Sequence, residues 1–181
     1  DIQAAMLPEW EDLREHASEI KEHTLTHLAD YLDEFSRNLE SNGVIVHWAK
    51  DAQEFNEIAY SILAEHNVKK LVKSKSMLTE ECEMNKYLIA KGIDVVETDL
   101  GERILQLMNL KPAHIVVPAA HITRDEVGEL FEKDGISKDI GNHDPTYLTQ
   151  CARYSLRQEF IEADAGMTGC NFGVASTGDC V

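Results

Sequence analysis

Basic residues are scarce in this sequence: 17 Lys and Arg stand against 33 Asp and Glu, a net charge of −16. A nucleic-acid surface needs clustered Lys and Arg to displace counterions, and an anionic membrane needs the same, so neither is expected as a partner. The acidity reads instead as a solvated surface that keeps the protein soluble. Long apolar runs are also missing. None reaches the roughly 20 residues of a membrane-spanning helix, so no membrane insertion is expected. The opening "DIQAAMLPEW" has no basic segment followed by an apolar one, hence no visible signal peptide, and a cytoplasmic location follows as the expectation. It lacks an initiator Met as well, which is compatible with a trimmed N-terminus. Cysteines are few and scattered: Cys82, Cys151, Cys170 and Cys180, with no CxxC pair. That spacing carries no zinc or iron–sulfur signature, so no metal site is assigned and reduced, mostly buried thiols are expected.

What is present divides into two parts. Residues 1–42 hold half of the net charge, with eleven acidic residues facing three basic ones. Apolar residues recur there at Trp10, Leu13, Ala17, Ile20, Leu28, Leu32, Phe35 and Leu39, steps of three and four that predict one long helix. Pro8 suits its first turn and Asn42-Gly43 its end. A break near Thr24–Thr26 is compatible with the pattern. The stripe is either docked on the protein's own core or reserved for a partner.

From Gly43 to residue 181 the pattern becomes an alternation of strands and capped helices. "VIVHW" (44–48), "KLVK" (70–73), "IDVVET" (93–98) and "HIVVP" (114–118) read as strands. Asp51/Glu54, Asp99/Glu102 and Thr123/Glu126 read as capping boxes, and Asp144-Pro145 as the start of a last helix to about Ala163. A further helix runs from about Thr79 to a stop at Gly92. Such alternation predicts an α/β fold, a mostly parallel sheet flanked by helices and preceded by the long N-terminal helix.

In a parallel sheet, ligands bind beyond the carboxyl ends of the strands. This selects Lys73, Ser74, Lys75 and Ser76 after the second strand, Glu97 and Asp99 after the third, and His121 after the fourth. The two lysines with their serines can hold a carboxylate or phosphate, or be solvated strand-end lysines. His121 can act as a general acid or base, or be a histidine hydrogen-bonded near a strand end. Asp99 is already accounted for as a cap, which leaves Glu97 as the acid of the pair. Arg153 and Arg157 share a helix face and can clamp an anion or pair with Glu162. The glycine-rich end offers Thr168, Gly169, Asn171, Thr177 and Gly178, either as a nest of N–H donors or as turns between tightly packed strands. It matches neither GxGxxG nor a P-loop, so no nucleotide motif is present.

Read in order, "VKSKSMLTEECEMNKYL", "GIDVVETDLGERILQL", "PAHIVVPAAHITRDEVGELF" and "EADAGMTGCNFGVASTGD" resemble the LUD domain of the lactate-utilization protein B family. The N-terminal "LPEWEDLREHASEIKEHTLTHLADYLDEF" resembles the helical region that precedes it. The resemblance implies a NagB/RpiA/CoA-transferase-like fold and a share, with companion lactate-utilization subunits, in oxidising L-lactate to pyruvate. It also implies a ferredoxin-like region with 4Fe-4S clusters in the full-length protein. That region is not in this chain, so a fragment without cofactor, truncated within the LUD domain and inactive alone, is the expectation.

The matching positions, Lys73 to Ser76, Glu97 to Asp99, His121, Thr168, Gly169, Asn171, Thr177 and Gly178, would line a cleft. In that picture Lys75 or Arg153 anchors a small carboxylate, while His121 and Glu97 are the proton-transfer candidates. The family's Ala-Glu-Thr-Gly is here Ala175-Ser176-Thr177-Gly178, which removes one carboxylate. Two other readings stay open: a stand-alone enzyme of the isomerase or CoA-transferase class, and a non-catalytic docking scaffold.

Overall fold

The computed structural model describes Ala4 and residues 6–181, which divide into two compact units. Residues 48–169 form the larger; residues up to 47, with 170–181, form the smaller.

In the larger unit α3 (Ala52–Glu65) leads into β1 (Lys70–Lys73). Next come α4 (Met77–Glu81), α5 (Met84–Ala90), β2 (Asp94–Glu97), α6 (Leu100–Met108), α7 (Arg124–Lys133), α8 (Pro145–Glu162) and β3 (Ala165–Met167). The three strands form a parallel sheet in the order β2-β1-β3. The fold is therefore α/β, as the alternation predicts.

The caps were legible. Asp51 accepts the Glu54 N–H, Asp99 that of Glu102 and Asp144 that of Tyr147, and Thr123 and Glu126 close a full reciprocal box. Each satisfies a donor that a helix start would otherwise leave bare.

Strand alternation sorts the core into two faces. Leu71 and Val95 pack with Leu63, Met84 and Leu88 from α3 and α5. Val72 and Val96 point the other way, onto Leu156 of α8. A third cluster, of Ile104, Leu130, Phe131, Leu148 and Ala152, joins α6, α7 and α8.

Three expectations for this unit and its approach are corrected. Neither 44–48 nor 114–118 is a strand; both are irregular, and Ile45 and Val116 stand 79% and 73% exposed. Their β-branched residues fit a sheet only where neighbours cover them, and here they are uncovered. The helix expected over 79–92 is two short helices, α4 and α5, separated at Glu83, which takes a left-handed conformation. In place of the missing strands the sheet gains β3, whose Ala-Gly-Met sequence gives no strand signal.

The smaller unit holds α1 (Trp10–Thr26), α2 (Leu28–Ser41) and a hairpin of β4 (Gly173–Val174) with β5 (Asp179–Cys180). The long N-terminal helix is thus two helices. The Thr24 and Thr26 hydroxyls bond back to the carbonyls of Ile20 and Glu22, each at 2.8 Å, a pattern that bends helices, and the break falls at His27. No residue of α1 is buried. From α2, Asn38 Nδ2 donates to the Ala175 carbonyl at 2.7 Å and Asn42 Nδ2 to that of Thr177 at 2.9 Å. Gly178, at φ 75°, lies so close to α2 that an added Cβ would sit 2.7 Å from the Asn38 carbonyl carbon. Only glycine fits that turn.

Candidate functional site

The parallel register sets Lys73 beside Glu97 at the carboxyl ends of β1 and β2. By alternation both point to the Leu71/Val95 face, toward α4 and α5. Lys73 is 1% exposed and Glu97 2%, and Lys73 Nζ lies 2.9 Å from Glu97 Oε1.

The break between α4 and α5 supplies the surrounding polar groups from two directions. Lys73 Nζ donates to Thr79 Oγ1 at 3.1 Å, and that hydroxyl donates to the Ser76 carbonyl at 2.8 Å. From α5, Asn85 Nδ2 donates to Glu97 Oε1 at 2.6 Å. Behind the strand, Gln106 Oε1 accepts the Glu97 N–H at 3.1 Å while its Nε2 donates to the Val95 carbonyl at 2.6 Å. The Thr98 N–H and hydroxyl both donate to the Lys73 carbonyl. The strand ends are therefore tied together on backbone and side chain alike.

Two acceptors in this network have no donor: Glu97 Oε2 and Asn85 Oδ1. A buried carboxylate oxygen without a partner is costly, so it marks the place where a further hydrogen-bond donor would be stabilised. Glu102, 5% exposed on the first turn of α6, adds a third carboxyl. Burial pushes its pKa up to about 7, helped by Glu80 and then Glu97 and opposed by Lys73. One edge thus carries a charged Lys–Glu pair and a carboxyl that can hold or release a proton near neutrality.

The residues selected from sequence fall in different places. Lys73, Glu97 and Asp99 build the centre, Asp99 as the cap of α6. Ser74 donates its N–H to the Met167 carbonyl of β3. Ser76 precedes α4 without capping it through its side chain. Gly169 lies against this turn, since a Cβ there would meet Ser76 Cβ at 3.4 Å and the Lys75 carbonyl oxygen at 3.5 Å. Thr168, just before it, is exposed.

Lys75 Nζ donates to the Val116 carbonyl at 2.9 Å, which fastens the irregular 111–123 segment to the strand end. His121 is exposed in that segment. It is a lesser contributor, after the Thr123 N–H and hydroxyl, to holding Glu126 below the usual carboxylate range. Arg153 is exposed on α8, beside an open groove of about 510 Å³ that it lines with Tyr154, Arg157 and Phe160. Glu162, the alternative partner for that arginine pair, bonds Lys70 and Gln158 instead. Asn171, Thr177 and Gly178 belong to the smaller unit, where Thr177 and Gly178 form the turn held by α2.

Sequence reasoning missed Thr79, Asn85 and Glu102. Glu102 was visible only as the closing residue of a capping box, and nothing local marks Thr79 or Asn85. A cavity of about 550 Å³ lies elsewhere along β3, lined by Ile62, Leu63, His66 and Met167 among others. It includes none of the charged centre.

A 4Fe-4S cluster needs cysteine thiolates converging on one centre. Cys82 and Cys151 lie in one unit and Cys170 and Cys180 in the other. Among the described residues no group of three or more His, Cys, Asp or Glu is placed to hold a metal. Neither unit by itself supplies the four thiolates of such a cluster.

The architecture is that of an α/β domain, a three-stranded parallel sheet with a buried Lys–Glu pair at the carboxyl ends of two of its strands. The chain belongs to the LUD domain family, whose profile matches residues 32–181. It is 45% identical to lactate utilization protein B of Macrococcus caseolyticus (strain JCSC5402) over 95% of this chain and 36% of the relative. It is 43% identical to the protein of that name from Exiguobacterium sp. (strain ATCC BAA-1283 / AT1b), over 97% of this chain and 37% of the relative. Against that of Bacillus pumilus (strain SAFR-032) the identity is 45%, over 95% and 36%. The chain thus spans little more than a third of the length of these curated relatives. No solved structure matches. No helix among the described residues is long and apolar enough to cross a membrane.

Proposed function

We propose that this domain serves lactate utilization in the cytoplasm, holding a small 2-hydroxy carboxylate during the oxidation of L-lactate to pyruvate. The relatives carry lactate utilization in their names, and the observation that carries the chemistry is the unpartnered Glu97 Oε2 beside a buried lysine. A substrate hydroxyl is the kind of donor that oxygen lacks. Glu97 would take the hydroxyl proton, with Lys73 stabilising its carboxylate form beforehand, and Lys75 would exchange the Val116 carbonyl for the substrate carboxylate.

Removing two electrons from lactate is cofactor chemistry. We assign it to 4Fe-4S clusters in the part of the longer protein outside this chain and to companion lactate-utilization subunits. The chain's own residues supply binding and a proton site, and the domain alone is inactive in this reading.

Isothermal titration with L-lactate and with pyruvate tests it. Saturable binding is expected, weakened about tenfold by Lys75→Ala, the loss for one charge-assisted hydrogen bond. Glu97→Gln should weaken lactate more than pyruvate, which has no hydroxyl to donate. Absence of binding to a folded protein would remove the substrate-holding role.

A further inference from the structure

The expectation of mostly buried thiols is not met. Cys82 and Cys151 are half-buried, whereas Cys170 and Cys180 are exposed and belong to none of the core clusters. Packing therefore does not account for this pair.

The hairpin brings them together. Gly173 stands opposite Cys180 in the β4–β5 ladder. The next rung is closed by Val181 N–H donating to the Phe172 carbonyl at 2.9 Å and Phe172 N–H to the Val181 carbonyl at 3.0 Å. Asn171 N–H donates to the same Val181 carbonyl at 2.6 Å, so the chain from Asn171 onward lies along the opposing strand. Cys170 Sγ turns back over this rung and donates to the Phe172 carbonyl at 3.1 Å. Burial first and the neighbouring Cys170 second hold the Cys180 thiol above its ordinary pKa. Both thiols are exposed, which leaves them open to a dissolved disulfide reagent.

We propose that Cys170 and Cys180 form a reactive dithiol that closes to an intramolecular disulfide by exchange with a small-molecule disulfide. The Cys170 thiolate attacks one sulfur of that reagent, breaking its S–S bond and releasing one small thiolate. Cys180, deprotonated, then attacks the Cys170 sulfur of the mixed disulfide and releases the second. The two protein thiols are oxidised, the reagent is reduced to two thiols, and the two protons pass to the released thiolates. Closure covalently ties Cys170 to β5 and so fixes the hairpin.

The test treats the purified protein with oxidised glutathione in degassed buffer and maps its cysteine peptides by mass spectrometry. The expected product is a Cys170–Cys180 cross-linked peptide lighter by two hydrogens, with glutathione on neither residue. In Cys180→Ser the reaction should stop at glutathione on Cys170, with that adduct accumulating at least about tenfold above the unsubstituted protein, because the intramolecular resolving step is gone. Stable glutathione adducts on both residues without a cross-link would overturn the proposal. So would reaction at Cys82 and Cys151 while Cys170 and Cys180 stay free.

Discussion

Strand β1 begins and ends with a lysine, and the two do opposite things. Lys70 faces the α8 side, where its ammonium meets Glu159 at 2.8 Å and Glu162 at 2.9 Å, with 22% of its side chain exposed. It has more carboxylate oxygens than it needs, and its pKa is raised by those two hydrogen bonds. Lys73 faces α4 and α5, is 1% exposed, and has one carboxylate, whose second oxygen is left without a donor. The first arrangement ties a helix to the strand's start and is complete as it stands. The second is buried at a desolvation cost and is incomplete. In the proposed function, that orphan oxygen is the place for a ligand's donor.

The largest effect expected is at Lys73. Lys73→Met leaves a carboxylate buried with no counter-charge, at a cost of about 3–5 kcal/mol in urea unfolding. The double variant Lys73→Met/Glu97→Leu removes both charges and should recover to within about 1 kcal/mol of the parent, because packed apolar pairs replace buried ion pairs at little loss. It should still bind no lactate. If the double variant folds well and binds as the parent does, the contrast between the two lysines loses its functional meaning.

Next in size is the pH response of Glu102. Its folded pKa is raised to about 7 from the ordinary glutamate value of 4.5, so the native state binds the proton more tightly than the unfolded chain does. Its contribution is full below the unfolded value and is lost as pH rises through about 7. Glu102→Gln mimics the protonated form. It should match the parent near pH 4 and exceed it by up to about 2 kcal/mol near pH 8, as read from urea midpoints. A difference between variant and parent that does not change with pH would detach Glu102 from the Lys73–Glu97 centre.

How much of this could be read beforehand follows from what is local. β1, β2 and the helix caps rest on residues within a turn of one another, and the sequence patterns place them correctly. Lys73 and Glu97 were reachable because the carboxyl edge of a parallel sheet is a general address for ligands. Their direct pairing depends on register, and the contacts from Thr79 and Asn85 depend on a helix break at Glu83 that no proline or glycine announces. The runs at 44–48 and 114–118 failed for the converse reason. Their apolar, β-branched composition is a strand signal only if something covers it, and coverage is tertiary. In β3 the covering exists without the signal: Ala165 and Met167 pack on the Leu71 cluster across a glycine. The glycines of the last stretch looked equally suited to an anion nest and to tight turns, and the approach of Asn38 accounts for Gly178 by packing.

The smallest effect is expected at the other end of β1. Lys70→Ala removes two contacts that water can largely replace, so its destabilisation should be well below that of Lys73→Met and should shrink further as salt is raised. The strand's start keeps a second hold that the substitution does not touch. The Asp164 carboxylate accepts the N–H groups of Lys69 at 2.8 Å and Lys70 at 2.9 Å, and those backbone donors, that of Lys70 first, lower its pKa. For such a group the contribution is present above the unfolded carboxylate value and is lost as pH falls through the lower folded one. Lys70→Ala should therefore keep the parent's acid-side loss of stability, whereas Asp164→Asn should flatten it. Urea midpoints at low and high salt, repeated on the acid side, separate the two holds. A Lys70→Ala penalty equal to that of Lys73→Met and indifferent to salt would mean that burial does not distinguish these lysines.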